Sequence, residues 1–133
     1  MGTVEYSLAI DVDRDFDDVL ATTRQALADE GFGVLTEIDV KATMKAKLDV
    51  DREEYVILGA CNPPLAHQAL EAEPELGVLL PCNVVVYRAH GKTRVSAVAA
   101  EQMLGMVGNQ ALEPVATEVA GRLRRVLDAI AAG

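Results

Sequence analysis

Asn83-Val84-Val85-Val86-Tyr87-Arg88-Ala89-His90-Gly91-Lys92-Thr93-Arg94-Val95-Ser96-Ala97-Val98-Ala99 is the stretch that decides the fold. Residues 83–90 and 93–99 read as two strands joined by Gly91-Lys92, because a glycine at the first central position suits the type II′ turn whose twist matches paired strands. In the second strand Val95, Ala97 and Ala99 fall on one side and Arg94, Ser96 and Val98 on the other. A period of two is what a strand with one inward face requires. The sheet is therefore expected to be largely antiparallel.

Working toward the N-terminus, residues 55–60 (Tyr-Val-Ile-Leu-Gly-Ala) are apolar throughout and read as a central strand covered on both faces. Residues 32–38 read as another strand, after which Asp39 opens a short helix with Val40, Met44 and Leu48 spaced by four. Phe16, Val19, Leu20, Thr23 and Leu27 share one face of a helix that Asp13 or Asp15 can cap and Gly31 ends. Val4 to Val12 alternates, with Val4, Tyr6, Leu8 and Ile10 on one side, and reads as the first strand.

Between residue 60 and the hairpin, Asn62 suits an N-cap and Pro63 the first helical position, where its missing amide hydrogen costs nothing. That helix runs to about Ala72 and gives way to an acidic loop containing Glu71, Glu73, Pro74 and Glu75. Leu76 to Leu80 then approaches Pro81. Beyond the hairpin, a loop with Met103 and Met106 leads to the last helix, whose apolar stripe is Val115, Val119, Leu123, Val126, Leu127 and Ile130. Residues 1–133 read as a single α+β domain, a largely antiparallel sheet covered by helices, with a long C-terminal helix.

The chain has no tryptophan, two Phe and three Tyr, so its core is aliphatic. A net charge of −9 argues against nucleic acid, whose binding depends on Lys and Arg displacing counterions. Lys41, Lys45 and Lys47 read as a solvated helix face. Arg122, Arg124 and Arg125 read as a complement to the C-terminal end of the last helix. The apolar runs are far short of the roughly 18–20 residues that cross a bilayer, so no membrane partner is expected. The N-terminus lacks the basic start and apolar stretch of a secretory signal, and the reading is cytoplasmic.

The only two cysteines lie in Gly59-Ala60-Cys61-Asn62-Pro63-Pro64 and Leu80-Pro81-Cys82-Asn83. If the two flanking strands are antiparallel neighbours, both sulfurs reach the same end of the sheet. Cys61 would then stand beside a helix N-terminus, which favours thiolate over thiol. Cys61 and Cys82 are the candidate reactive pair, with Asn62 and Asn83 as binding groups beside them. Free cysteine is also among the most buried residue types, so two structural thiols stand as the opposing reading. A zinc site is short of ligands: His90 flanks the turn, leaving His67 as the one histidine that can join the thiols. Monovalent copper needs fewer ligands. No cofactor can be named. Phosphate-loop, nucleophile-elbow and His-Glu-x-x-His signatures are absent.

Gly31-Phe32-Gly33-Val34-Leu35-Thr36-Glu37-Ile38, Tyr55-Val56-Ile57-Leu58-Gly59-Ala60-Cys61-Asn62-Pro63 and Leu80-Pro81-Cys82-Asn83-Val84-Val85-Val86 together resemble the domain of unknown function family 302, in its Cys-Asn-containing branch. The resemblance implies a TATA-binding-protein-like fold with a curved antiparallel sheet, a long C-terminal helix and a homodimer. Ala100-Glu101 departs from the Asp-Pro-like step often found there, which bears on the loop carrying Met103 and Met106. The similarity to a DNA-binding fold implies no DNA binding, because function resides in sites. Three functions follow as expectations. One is a thiol protein handling a sulfur species, an oxidant or a soft metal through Cys61 and Cys82. Another is a small-molecule-binding module with its pocket where sheet meets helices. The last is a dimeric interaction module with structural cysteines.

Overall fold

The computed structural model describes residues 2–133. At its centre β5 (Cys82–Ala89) and β6 (Lys92–Val98) form the expected hairpin, from Val84 opposite Ala97 to Ala89 opposite Lys92. Its turn is centred on His90 and Gly91, both left-handed at φ 54° and 76°. Two left-handed central residues make a type I′ turn, one residue earlier than the expected Gly91-Lys92 pair. Lys92 is thereby free to join the ladder.

Every pairing is antiparallel. β2 (Ser7–Val12) lies beside β6, β4 (Tyr55–Cys61) beside β5, and β3 (Gly33–Asp39) beside β4. The three-residue β1 (Gly2–Val4) pairs with β2, giving the order β1-β2-β6-β5-β4-β3. The single first strand expected over residues 4–12 is thus a hairpin reversing at Glu5-Tyr6, since Val4 lies opposite Ser7. Tyr6 is left 76% exposed, so its place in the alternation carries no burial.

Helices pack on one face of the sheet. α1 (Phe16–Asp29) and α5 (Glu113–Ala132) contact each other and the central strands, while α3 (Pro63–Ala72) and α4 (Ala100–Gly105) lean on α5. Val19 and Leu27 of α1 and Leu123, Leu127 and Ile130 of α5 are fully buried, as are Leu58, Val84, Val86 and Val95 of the sheet. Each such side chain contributes roughly 1.5–3 kcal/mol by leaving water. The expected stripe of the last helix is buried along its whole length.

The opposite face has a different character. In β4, Val56, Leu58 and Ala60 turn to the core while Tyr55 and Ile57 remain half-buried, so this strand is covered on one face rather than two. The Tyr55 and Tyr87 rings stack there with centroids 4.9 Å apart. Arg94 donates two hydrogen bonds to the Asp11 carboxylate, at 2.8 and 2.9 Å, and holds that carboxyl below the usual range. α2 (Val40–Leu48), capped by Asp39 accepting from the Ala42 amide, runs beside β3 and β4 and fully buries none of its side chains, Val40 and Met44 being half-buried.

Two expected loops are ordered turns of helix. Residues 74–79 form a 3-10 helix that inserts Leu76 into the core, and α4 replaces the loop carrying Met103 and Met106. Elements of six residues are too short to show a helical period. Arg122, Arg124 and Arg125 are also placed differently from the expectation, because α5 continues to Ala132 and has no basic residue in its last turn. Arg122 donates to the Glu30 carbonyl at 2.9 Å and Arg125 to its carboxylate at 3.0 Å, tying α5 to the end of α1. Arg124 reaches Glu101.

Gly59 lies opposite Thr36, and a β-carbon there would overlap Thr36 Oγ1 and sit 2.8 Å from Pro81 Cγ. Gly59→Ala is expected to lower stability by about 1–3 kcal/mol through overpacking. Adding Thr36→Ala should recover part of that loss, the part due to Thr36, while the Pro81 contact remains. Urea denaturation of the two variants checks this, and an unaffected single variant would refute the close approach.

Candidate functional site

The two cysteines do lie at one end of the sheet. Cys82 is opposite Ala60, and Cys61, the next residue of β4, is opposite Gly33. Side chains alternate along a strand, so Cys82 points with Ala60 toward the helices while Cys61 has the opposite phase. The ladder therefore does not aim the two sulfurs at each other. Both cysteines are free thiols.

Asn62 is a structural cap as much as a site residue. Its Oδ1 accepts from the Leu65 amide at 3.4 Å, starting α3, and its Nδ2 donates to the Glu30 carbonyl at 3.5 Å. Pro63 follows at the first helical position, as expected. Asn83 is exposed and has the opposite phase to Cys82, on the face of the sheet away from α1 and α5. His67 is exposed on α3. Of the five residues singled out from sequence, Cys61, Asn62 and Cys82 thus border one region, and Asn83 and His67 stand apart from it.

That region is a cavity of about 300 Å³. The sheet end supplies Ala60, Cys61 and Cys82. α3 supplies Leu65, Ala66, Ala69 and Leu70, and Met103, Leu104, Val115 and Val119 come from α4 and α5. Leu35 and Leu70, 66% and 37% exposed, stand at its mouth. No charged side chain lines it, and Asn62 is its only polar one. Burial pushes the Cys82 thiol up to about 11, with a smaller push from the nearby Cys61. A thiol held protonated is a poor nucleophile and a poor metal ligand. Ala66 and Ala69 were not singled out from sequence. The signal was available: two small residues three apart on one helix face, where a larger pair would close the space.

On the other face, Tyr55, Asn83, Tyr87, Arg94 and Ser96 border an open groove of about 630 Å³. Among the described residues, no three His, Cys, Asp or Glu side chains gather to hold a metal ion. Nor is any helix among them long and apolar enough to cross a membrane.

The same architecture occurs in a crystal structure of an uncharacterized conserved DUF302 protein from Bacillus stearothermophilus, which is 30% identical to this chain. The likeness has a TM-score of 0.87 and covers 93% of this chain and 97% of that one. No curated protein matches the chain. The profile of the domain of unknown function DUF302 matches residues 8–130, nearly the whole of the sheet and helices described above, and the chain belongs to that family.

Proposed function

We propose that this domain is a small-molecule-binding module whose ligand lodges between the end of the sheet and α3, α4 and α5. The observation that carries the reading is the cavity itself. At about 300 Å³ it is roughly twice the size of an apolar cavity that holds benzene and lies at the lower end of natural binding sites. An apolar space of this size inside a close-packed domain forgoes contacts that a ligand would restore. The cysteines are part of its wall, and the two unpaired thiols fit a cytoplasmic protein.

Small neutral apolar compounds are expected to raise the melting temperature, by an amount that grows with the logarithm of their concentration. Ala69→Leu and Ala66→Leu should each fill the space and abolish the shift while leaving the circular dichroism spectrum unchanged. A panel in which no compound shifts the wild-type protein would end this reading.

The alternative, chemistry on a sulfur species, oxidant or soft metal through a Cys61/Cys82 pair, is less well supported, because the two residues are out of phase and Cys82 is buried. Native alkylation separates the two. At pH 8 about one Cys82 in a thousand is ionised, given its upward shift, so Cys61 should be modified first. The Cys82 rate should keep climbing until about pH 11, whereas in the unfolded chain it levels off near an ordinary thiol's range. Equal modification of both below pH 8 would restore the thiol-pair reading.

A second proposal concerns association. In the Val40, Met44, Leu48 stripe of α2 the first two are only half-buried, and Ile38, Leu48 and Val50 are exposed. A homodimer burying these surfaces is supported by that exposure. Analytical ultracentrifugation should find a dimer that Leu48→Asp with Val50→Asp converts to monomer. A wild-type monomer at micromolar concentration would exclude it.

A further inference from the structure

We propose that the cavity selects an uncharged aromatic molecule of one or two fused rings, a refinement that rests on the binding reading above. Two features of the wall lead to it, one excluding charge and the other favouring a ring.

The first is the absence of any charged side chain from the wall. Asn62, the one polar side chain in the wall, spends Oδ1 on the Leu65 amide and Nδ2 on the Glu30 carbonyl. Among the described residues no buried side-chain nitrogen or oxygen lacks a hydrogen-bond partner. An ionised ligand would lose its hydration and find no counter-charge, only the second N–H of Asn62 and weak thiol donors. The wall instead suits a molecule that asks for no hydrogen bond inside.

The second is the concentration of sulfur. The chain has two Cys and four Met, six sulfur-bearing side chains in all, and Cys82 and Met103 line this one cavity, with Cys61 bordering it at the end of β4. Divalent sulfur is polarizable and makes favourable contacts with aromatic rings, often at their edges, that it does not make with a saturated chain. Burial keeps the Cys82 thiol as S–H, a weak donor that can meet an aromatic face. Phe32 adds an aromatic surface to the same wall. Ala66 and Ala69, one turn apart on α3, leave that side without bulk, which favours a flat occupant over a thick one.

The test compares naphthalene, its saturated counterpart decalin and the anion 1-naphthoate, by calorimetry and by thermal shift on the full chain. Naphthalene is expected to bind about tenfold more tightly than decalin, the scale of sulfur–aromatic contacts. Its affinity should exceed that of 1-naphthoate by at least about a hundredfold, the scale of an uncompensated charge. Met103→Leu, which conserves volume, should narrow the naphthalene-to-decalin ratio severalfold by weakening naphthalene more than decalin. If decalin or 1-naphthoate binds as well as naphthalene, the selectivity inference is overturned and the binding module stands. If Met103→Leu leaves the ratio intact, sulfur is not its source and the inference is overturned on that ground. If none of the three binds and no other neutral apolar compound does, the binding reading falls with it.

Discussion

Val84 and Val86 occupy the middle of the sheet, opposite Leu58 and Val56 on one side and Ala97 and Val95 on the other, and all six are buried. This register is the constraint on which the rest of the structure depends. A slip of one residue in β5 would turn Val85 and Tyr87 inward and send Val84 and Val86 to the face away from α1 and α5, exchanging the core for a set that includes Asn83. The same register fixes the chemistry at the strand ends. It directs Cys82 into the helix-covered side, where its thiol stays protonated, and leaves Cys61 and Asn83 in the other phase. Apolar packing at the sheet centre thus decides which sulfur can react at its edge.

A second constraint keeps the cavity from being squeezed shut. The carbonyl of Glu30, at the end of α1, accepts from Arg122 of α5 and from Asn62, the cap of α3. Gly31 follows at φ 83°, and a β-carbon there would stand 3.0 Å from Asn62 Nδ2 and 3.3 Å from Arg122 Nη1. Three helices therefore meet on one backbone oxygen with no room for a side chain. Because α3 and α5 are held at that point, their spacing farther along is set by hydrogen bonds as well as by side-chain contact. Ala66 and Ala69 can then face Val115 and Val119 without collapse.

The legible parts of the fold were those in which burial imposes a long, regular period. The α5 stripe, the α1 face and the alternation of β6 are each continuous over several repeats, and each lies where the sequence places it. Residues 4–12 show the limit, since an alternating pattern persists through a two-residue reversal and Tyr6 keeps its place in the count while pointing to solvent. His90 in a left-handed conformation displaced the hairpin turn by one residue, because glycine is the easier signal to see there. β4 looked covered on both faces because Ile57 and Tyr55 are apolar, yet an apolar residue on a sheet surface need not be buried. For the site, the sequence could bring both cysteines to one end of the sheet. Their opposite phases follow from pairing Ala60 with Cys82, a tertiary fact. The cavity is harder still to foresee, because it is defined by what Ala66 and Ala69 do not fill.

The charge distribution and the cavity agree on how a ligand would be held. Although the chain carries −9, its arginines are spent within the fold. Arg14, Arg24, Arg94, Arg122, Arg124 and Arg125 face carboxylates, Arg88 donates to Thr93 and to the Gly91 carbonyl, and Arg52 lies over the Tyr55 ring. Most of these pairs are exposed and each contributes little to stability. Their effect is instead on the field, since six of the eight arginines have their charge offset by a carboxylate and none of the eight lines the cavity. The net charge of −9 disfavours the approach of anions, and the wall has no charge with which to hold one at close range. On the binding reading proposed above, affinity would come from apolar area removed from water and from contacts of the sulfur atoms and Phe32 with the ligand.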